Sequence, residues 1–382
     1  MLLKNIKILL NCKYSFLPPK KSEIIIFDQH SLKIISTIFN LKNTQVLKTR
    51  KEEINLFILL KNFINFKFTF FEYLMSFIIY SQAKVVTTSI DNNKTFYKVA
   101  SNCSATTIFF QNGVRMGHND IFDLLRNAKE LKNIRNSNFV NLMFTFNQMT
   151  SDLYKKIITG KTFVSGSILS NNEKINKNKK SGLIYISLFR PESKRKTHPN
   201  EIKLIRSLKK YCIKKNLKFK ILCKFLKGSK KSYEEINFYK KTLKKDFFLI
   251  PNSLERNSYK LLDQSKIVVS SGSTMGIESL GRKNRTVIIN PFPNIHPVKR
   301  NFFGYFTKRK NTGFFWHNGV NEEKIFKILN NVKNCKNKNW HKIISKCEYE
   351  TTKHDPKNMC LKRNLIKILA QKKINFKKYL RT

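Results

Sequence analysis

Short apolar runs alternate with amphipathic stretches from one end of the chain to the other, and that alternation predicts the elements. In the first half, residues 23–27 (EIIIF), 44–47, 84–88 (KVVTT), 106–110 (TTIFF), 139–146 and 162–168 read as strands. Apolar, β-branched and aromatic residues run through them without a polar residue at every second place, as in parallel strands covered on both faces. Helical periodicity occupies 31–39, 52–63, 71–82 and 93–100. The opening MLLKNIKILLNCKYSF is apolar but interrupted by Lys4 and Lys7, and it reads as a first strand rather than a leader peptide.

Residues 170–181 (SNNEKINKNKKS) hold one apolar residue, Ile175, and read as a linker. The pattern then restarts, with strands at 183–188, 218–223, 247–250, 266–270 and 286–290 and helices at 199–215, 233–243, 254–264 and 274–281. From 322 to 380 the chain is helical and Lys-rich. The fold class is therefore α/β, with two doubly wound, Rossmann-like lobes facing a cleft and a helical C-terminal tail. The expected boundaries are 1–169 for the first lobe, 182–320 for the second and 321–382 for the tail.

The charge sharpens this picture. There are 75 Lys and Arg against 24 Asp and Glu, a net charge of +51. A chain rich in Lys, Asn, Ile and Phe has the residues of A/T-rich codons, but that bias also favours Glu, which is scarce. The excess points to anionic partners, either phosphorylated substrates or an anionic membrane surface. Nucleic acid is not expected, because the charge is dispersed and no zinc-finger or RNA-binding signature is present. Residues 56–80 are the one membrane candidate; Lys61, Lys67 and Glu72 break them, so they read as buried helices, with surface contact to a membrane as the alternative. Seven Cys without CxxC spacing, several inside apolar runs, fit a reducing compartment with no metal. The expected location is cytoplasmic, including the inner face of the cell membrane.

Candidate chemistry sits where strands end. KIVVSSGSTMGIESLGR (266–282) runs from a strand into a helix, with Ser271, Gly272, Ser273 and Thr274 at the turn and Glu278 one turn in. Gly permits close approach, Ser or Thr caps the helix, and the free N–H groups form a phosphate site. An ordinary capped turn is the equally weighted alternative. The spacing matches neither the P-loop nor the dinucleotide fingerprint. In the first half, Asp91, Asn92 and Asn93 follow KVVTT, and Gln111, Asn112, Gly113 and Arg115 follow TTIFF. Asp28 and Arg190 sit at equivalent strand ends, while Asp91 could instead cap the helix that follows. His118 and His296 lie in loops and read as surface groups.

These stretches taken in order (EIIIFD, VLKTRKEEIN, AKVVTTSIDNNKTFYKVA, TIFFQNGVR and SSGSTMGIESLGR) resemble the bacterial surface carbohydrate biosynthesis proteins, a family similar to GT-B type nucleotide-sugar glycosyltransferases. The likeness spans roughly residues 20–290. It implies a nucleotide-sugar donor whose diphosphate lies on 271–274, with Glu278 toward the ribose, and a carbohydrate or lipid-linked acceptor on the first lobe. Asp91, Asp28 and Asp120 are then candidate bases, and Arg115 or Arg190 would neutralise the leaving phosphate. No cofactor is implied. Sparse Gly in the first strand-to-helix turn departs from many members of this fold. A sugar-nucleotide epimerase of the same fold, and a non-catalytic basic nucleic-acid- or membrane-binding module, are the alternatives.

Overall fold

The computed structural model describes residues 12–50, 52–115, 120–126, 128–176, 181–190, 198–292, 303–304 and 306–381. In the first half the strands are β1 (Lys13–Ser15), β2 (Ile24–Phe27), β3 (Gln45–Leu47), β4 (Glu53–Asn55), β5 (Val85–Thr88), β6 (Thr106–Phe110), β7 (Phe139–Thr145) and β8 (Thr159–Val164). Six of them form a parallel sheet in the order β3-β2-β5-β6-β7-β8, while β1 pairs with β4 in a separate parallel pair. The second half contributes β9 (Leu183–Ile186), β10 (Phe219–Leu226), β11 (Phe248–Asn252), β12 (Ile267–Ser270), β13 (Thr286–Asn290) and β14 (Trp316–Asn318). They form a second parallel sheet in the order β11-β10-β9-β12-β13-β14.

Both sheets are covered on both faces, which is why their central strands carry continuous apolar runs. Ile25, Phe27, Val86 and Phe109 pack on one face with Phe77, Phe96 and Tyr154. Ile24, Ile26, Val85 and Ile108 fill the other, since successive strand residues point to opposite sides. In the second lobe Tyr185, Val269, Val287 and Ile289 meet Leu204, Leu208, Leu329 and Trp340.

The 321–382 segment is shared between the lobes. Its helices Glu322–Asn334 and Asn337–Ser345 bury Ile325, Leu329, Trp340 and Ile344 in the second core. The helix Met359–Gln371 instead places Leu361, Leu365 and Leu369 against the first sheet. The chain therefore passes between lobes twice, and the two passages bind each other. Asn171 Oδ1 accepts from the Asp355 N–H at 2.9 Å, and Asn358 Nδ2 donates to the Ile168 carbonyl at 3.0 Å. Gly166, at φ 76°, lies where a Cβ would come within 2.0 Å of the Lys353 carbonyl oxygen, so the passages touch backbone to backbone.

Several expectations shift. The helix expected over 52–63 starts only at Leu56, because Glu53–Asn55 pairs as β4 and Asn55 caps the helix by accepting from the Ile58 N–H at 3.0 Å. The expected 162–168 strand begins and ends earlier, at Thr159 and Val164. Ser170 and Asn171, expected in a linker, are buried in the short helix Ile168–Asn172. Residues 56–80, expected to be buried, form the helices Leu56–Ile64 and Phe70–Tyr80 with one face in the core and the other open. Among the described residues no helix is long and apolar enough to cross a membrane. Of the expected N-terminal strand, residues 1–11 lie outside the described residues, and Lys13–Ser15 form β1, which pairs with β4 outside the main sheet.

Candidate functional site

In an open parallel sheet a ligand binds outside the carboxyl ends of the strands, where the strand order reverses. The second sheet reverses between β9 and β12, and the first between β2 and β5. A cavity of about 650 Å³ opens at the first of these points. Its walls come from the ends of β9 (Ser187, Leu188, Arg190), β10 (Lys224), β11 (Asn252, Arg256) and β12 (Gly272, Ser273), with Lys33 and Thr37 facing from the first lobe.

The β12 turn is built as the sequence suggests. Gly272 has φ 92°, and Ser273 caps the helix Thr274–Gly281 by accepting from the Met275 N–H at 3.3 Å. Gly276 lets this helix sit directly on the strand, since a Cβ there would lie 2.3 Å from Ser270 Oγ. Gly272 and Ser273 face the cavity, whereas Ser271 is buried behind them. Thr274 is used differently: its Oγ1 accepts from the Val114 N–H of the first lobe at 3.0 Å.

Two cations stand on the neighbouring strand ends. Burial lowers the Lys224 pKa, and the charge of Arg190 lowers it further. Like charges held together at a helix N-terminus favour an anion between them. Beneath them the fully buried Glu235 accepts from the Lys224 N–H at 2.9 Å, the Phe225 N–H at 3.0 Å and the Ser187 hydroxyl, so it fixes the shape of the β10 end. Arg256 donates to the Cys223 and Ile250 carbonyls at 2.8 and 3.1 Å, locking β10 to β11.

Glu278 does not line this cavity. Its carboxylate accepts from the Ser167 hydroxyl, on the passage between lobes, and from Tyr259 OH at 3.0 Å. Burial raises its pKa, only partly offset by those hydrogen bonds and by Arg282. The folded state thus holds the proton more tightly than the unfolded chain does, so this carboxylate costs stability as pH rises through its folded pKa. Compared with wild type, Glu278→Gln should gain in melting temperature as pH climbs from about 4.5 toward neutrality. A melting-temperature difference that stays flat across that range would contradict the burial argument.

On the first lobe, Asp91 is fully buried and fully engaged. It accepts from Arg115 through both Nε, at 2.8 Å, and a second guanidinium N–H, from Tyr154 OH, and from the Asn112 N–H at 3.2 Å. Desolvation alone would lower the Arg115 pKa, but Asp91 more than reverses this, so the guanidinium stays charged. Asn93, not Asp91, caps the helix Lys94–Asn102, accepting from the Thr95 and Phe96 N–H groups at 3.0 and 3.3 Å. Gln111 holds the same loop from the other side, donating to the Gly113 carbonyl at 2.9 Å and accepting from the Phe146 N–H at 2.8 Å. Asp91, Gln111, Asn112, Gly113 and Arg115 therefore form one braced loop, which reaches Thr274 through Val114. Asn92 stands exposed beside it, and Asp120 caps the turn Ile121–Arg126 by accepting from the Phe122 N–H at 2.8 Å.

Asp28 forms a second cluster at the β2 end. It lies buried at φ 78°, accepting from the His30 N–H at 2.9 Å and Arg50 Nε at 2.8 Å, with His30 Nδ1 at 3.0 Å. Burial raises its pKa, but the His30 N–H, Arg50 and the imidazole outweigh that and hold it below the usual carboxylate value. An ionised Asp28 can only accept, so it holds a proton on His30 Nδ1, and in the neutral ring Nε2 is then the acceptor, on a side chain about half exposed. Asp28, His30 and Glu52 offer ligand atoms within 4.8 Å of one another, enough for a cation, but Arg50 already supplies positive charge there.

Residue-by-residue reading of the sequence missed Lys224, Arg256, Glu235 and His30. Lys224 was within reach of the strand-end logic that picked out Arg190, since it follows the apolar run ILC. Glu235 sits mid-helix and carries no local signal. His118 and His296 lie outside the described residues.

The same two-lobed arrangement occurs in solved structures. The UDP-GlcNAc 2-epimerase of Methanocaldococcus jannaschii, in complex with UDP-GlcNAc and UDP, superposes with a TM-score of 0.51 at 14% identity over 91% of this chain and 99% of that one. The H444N variant of the wall teichoic acid polymerase TagF gives 0.51 at 12% identity over 93% and 90%. At such identities these likenesses establish the fold, two Rossmann-like lobes of the GT-B type. No curated protein matches the sequence. A family model described as "putative O-antigen biosynthesis protein" matches residues 108–369, from β6 through the second sheet to the helix that returns to the first lobe, and the chain belongs to that family.

Proposed function

We propose that this protein is a glycosyltransferase that moves a sugar from a nucleotide-sugar donor to a surface polysaccharide or its lipid-linked precursor. The observation that carries this reading is the β9/β12 switch point, where a capped helix N-terminus and two cations, Arg190 and Lys224, line one cavity. Such a wall suits a diphosphate. The methanogen epimerase of the same fold, complexed with UDP-GlcNAc and UDP, illustrates the donor class.

In the reaction the acceptor hydroxyl forms a new bond to the anomeric carbon while the bond from that carbon to the diphosphate breaks. The nucleoside diphosphate leaves with the electron pair, and Arg190, Lys224 and the N–H groups after Ser273 meet its growing charge. His30 Nε2, oriented by Asp28, takes the acceptor proton. Asp91 and Arg115 shape the opposing loop, and the Glu278–Ser167 contact holds the lobes in register. The cell membrane's inner face is the site of work if the acceptor is lipid-linked.

A nucleoside diphosphate at 100 times its dissociation constant should stabilise the protein by about 2.7 kcal/mol, and Arg190→Ala/Lys224→Ala should abolish the shift. His30→Ala should keep the shift while turnover falls at least about a hundredfold, within the range of a lost general base. If no nucleotide or nucleotide sugar moves the melting transition at millimolar concentration, the donor site is wrong. Interconversion of a free nucleotide sugar without any acceptor would mark an epimerase instead.

A further inference from the structure

We propose that the helical hairpin 56–80, with residues 16–17 beside it, is a docking surface for an anionic lipid bilayer. Leu60, Phe63, Ile64, Phe66 and Phe68 are each 63–82% exposed, and Phe16 and Leu17 are 74% and 80% exposed. Residues 16–17 are tied to the start of the same hairpin, because Asn55, the cap of the first helix, donates to the Leu17 carbonyl at 2.8 Å and to Ser15 Oγ at 3.0 Å. Scattered exposed apolar residues need no explanation, but a cluster of large ones on a single hairpin marks an interaction site.

The hairpin tip is built to project its rings. Phe66 lies past the end of the helix Leu56–Ile64 at φ 57°, a left-handed position where a bulky residue is strained and Gly is usual. No burial repays that strain, as Phe66 is the most exposed of the five. The Phe63, Phe66 and Phe68 rings gather edge to face around Phe68, with centroids 5.8 and 6.4 Å apart. An aromatic wedge of this kind suits the boundary between headgroups and acyl chains, about 5–10 Å deep.

Charge selects the occupant. Between Leu56 and Phe71 the ionisable groups are Lys61 and Lys67, with no carboxylate, and Lys20 and Lys21 flank the 16–17 step. Lys21 and Lys61 lie over the Tyr80 ring at 5.3 and 5.2 Å, on the same hairpin. The one acidic residue of the hairpin, Glu72, is tied into a capping box with Thr69. A second copy of a +51 chain would bring these lysines against each other, whereas an anionic surface neutralises them. The hairpin also starts four residues after Glu52, which with Arg50 reaches His30 and Asp28. On the glycosyltransferase reading, a lipid-linked acceptor in the bilayer would arrive beside His30; the docking itself stands without that reading.

The test is sedimentation with phosphatidylglycerol–phosphatidylethanolamine vesicles and with phosphatidylcholine vesicles at 0.15 M salt. Wild type should pellet with the anionic vesicles and be released by 1 M salt. Phe63→Ser/Phe66→Ser/Phe68→Ser should lower partitioning at least tenfold with an unchanged melting temperature, and Lys61→Glu/Lys67→Glu should do the same. Wild type that ignores anionic vesicles, or a triple-serine variant that still pellets, would overturn the proposal. So would light scattering that shows a wild-type dimer split by the serines while vesicle binding persists. The nucleoside diphosphate thermal shift, run on the same variants, should be unaffected. Its loss in wild type would sink the donor reading and leave the docking surface standing.

Discussion

Arg282→Ala is expected to lower folding stability by about 3–5 kcal/mol, the cost of leaving a buried charge without its partner. Arg282 and Asp263 are both fully buried. The guanidinium donates to both Asp263 carboxylate oxygens, at 3.0 and 2.6 Å, and to the Ser170, Glu173 and Lys174 carbonyls at 2.7, 3.0 and 3.2 Å. Truncation would leave the buried Asp263 without its cation and the buried Ser170 carbonyl without its donor. It would also free the passage between lobes from the second lobe, since three of the five acceptors belong to residues 170–174. A fall in melting temperature of about 5 °C follows from typical entropies of unfolding for a chain of 382 residues. Arg282→Met combined with Asp263→Asn should recover much of the loss, because no lone charge remains inside. A single variant that melts within about 2 °C of wild type would show that water reaches the pair.

The second large effect is expected at Arg115. Arg115→Ala leaves Asp91 buried with Tyr154 and Asn112 as its remaining donors, at a cost of about 3 kcal/mol. The loop that carries Gly113 and Val114 to Thr274 loses its main anchor, so turnover should fall at least about tenfold, or about 1.4 kcal/mol. Nucleotide binding should survive in the folded fraction, because Arg190 and Lys224, the cations proposed to hold the diphosphate, sit on the other lobe. Asp91→Asn, which keeps a side chain of the same shape, should show the same pattern more weakly. Melting temperature, nucleotide affinity and turnover measured on both variants separate the possibilities. Lost turnover with an unchanged melting temperature would return Asp91 to direct chemistry and remove the bracing role.

The two lobes could be read from the sequence because their signal is local. A central parallel strand is buried on both faces, so IIIF, VVTT and IVVS announce themselves as uninterrupted runs, and polar residues gather where such runs end. The β12 turn was legible for the same reason: Gly272, the Ser273 cap and the helix behind them lie within a few residues of one another. What each polar group does depended on partners far along the chain. Glu278 meets Ser167 across 111 residues, Arg282 meets Ser170 across 112, and Thr274 meets Val114 across 160. No period or spacing encodes those pairings, because they are set by how two separately folded sheets and two crossing segments dock. The exposed hairpin shows the same limit from the other side. Its apolar pattern matches that of a buried helix pair, and the tertiary structure alone decides that Leu60, Phe63 and Phe66 stand exposed among the described residues.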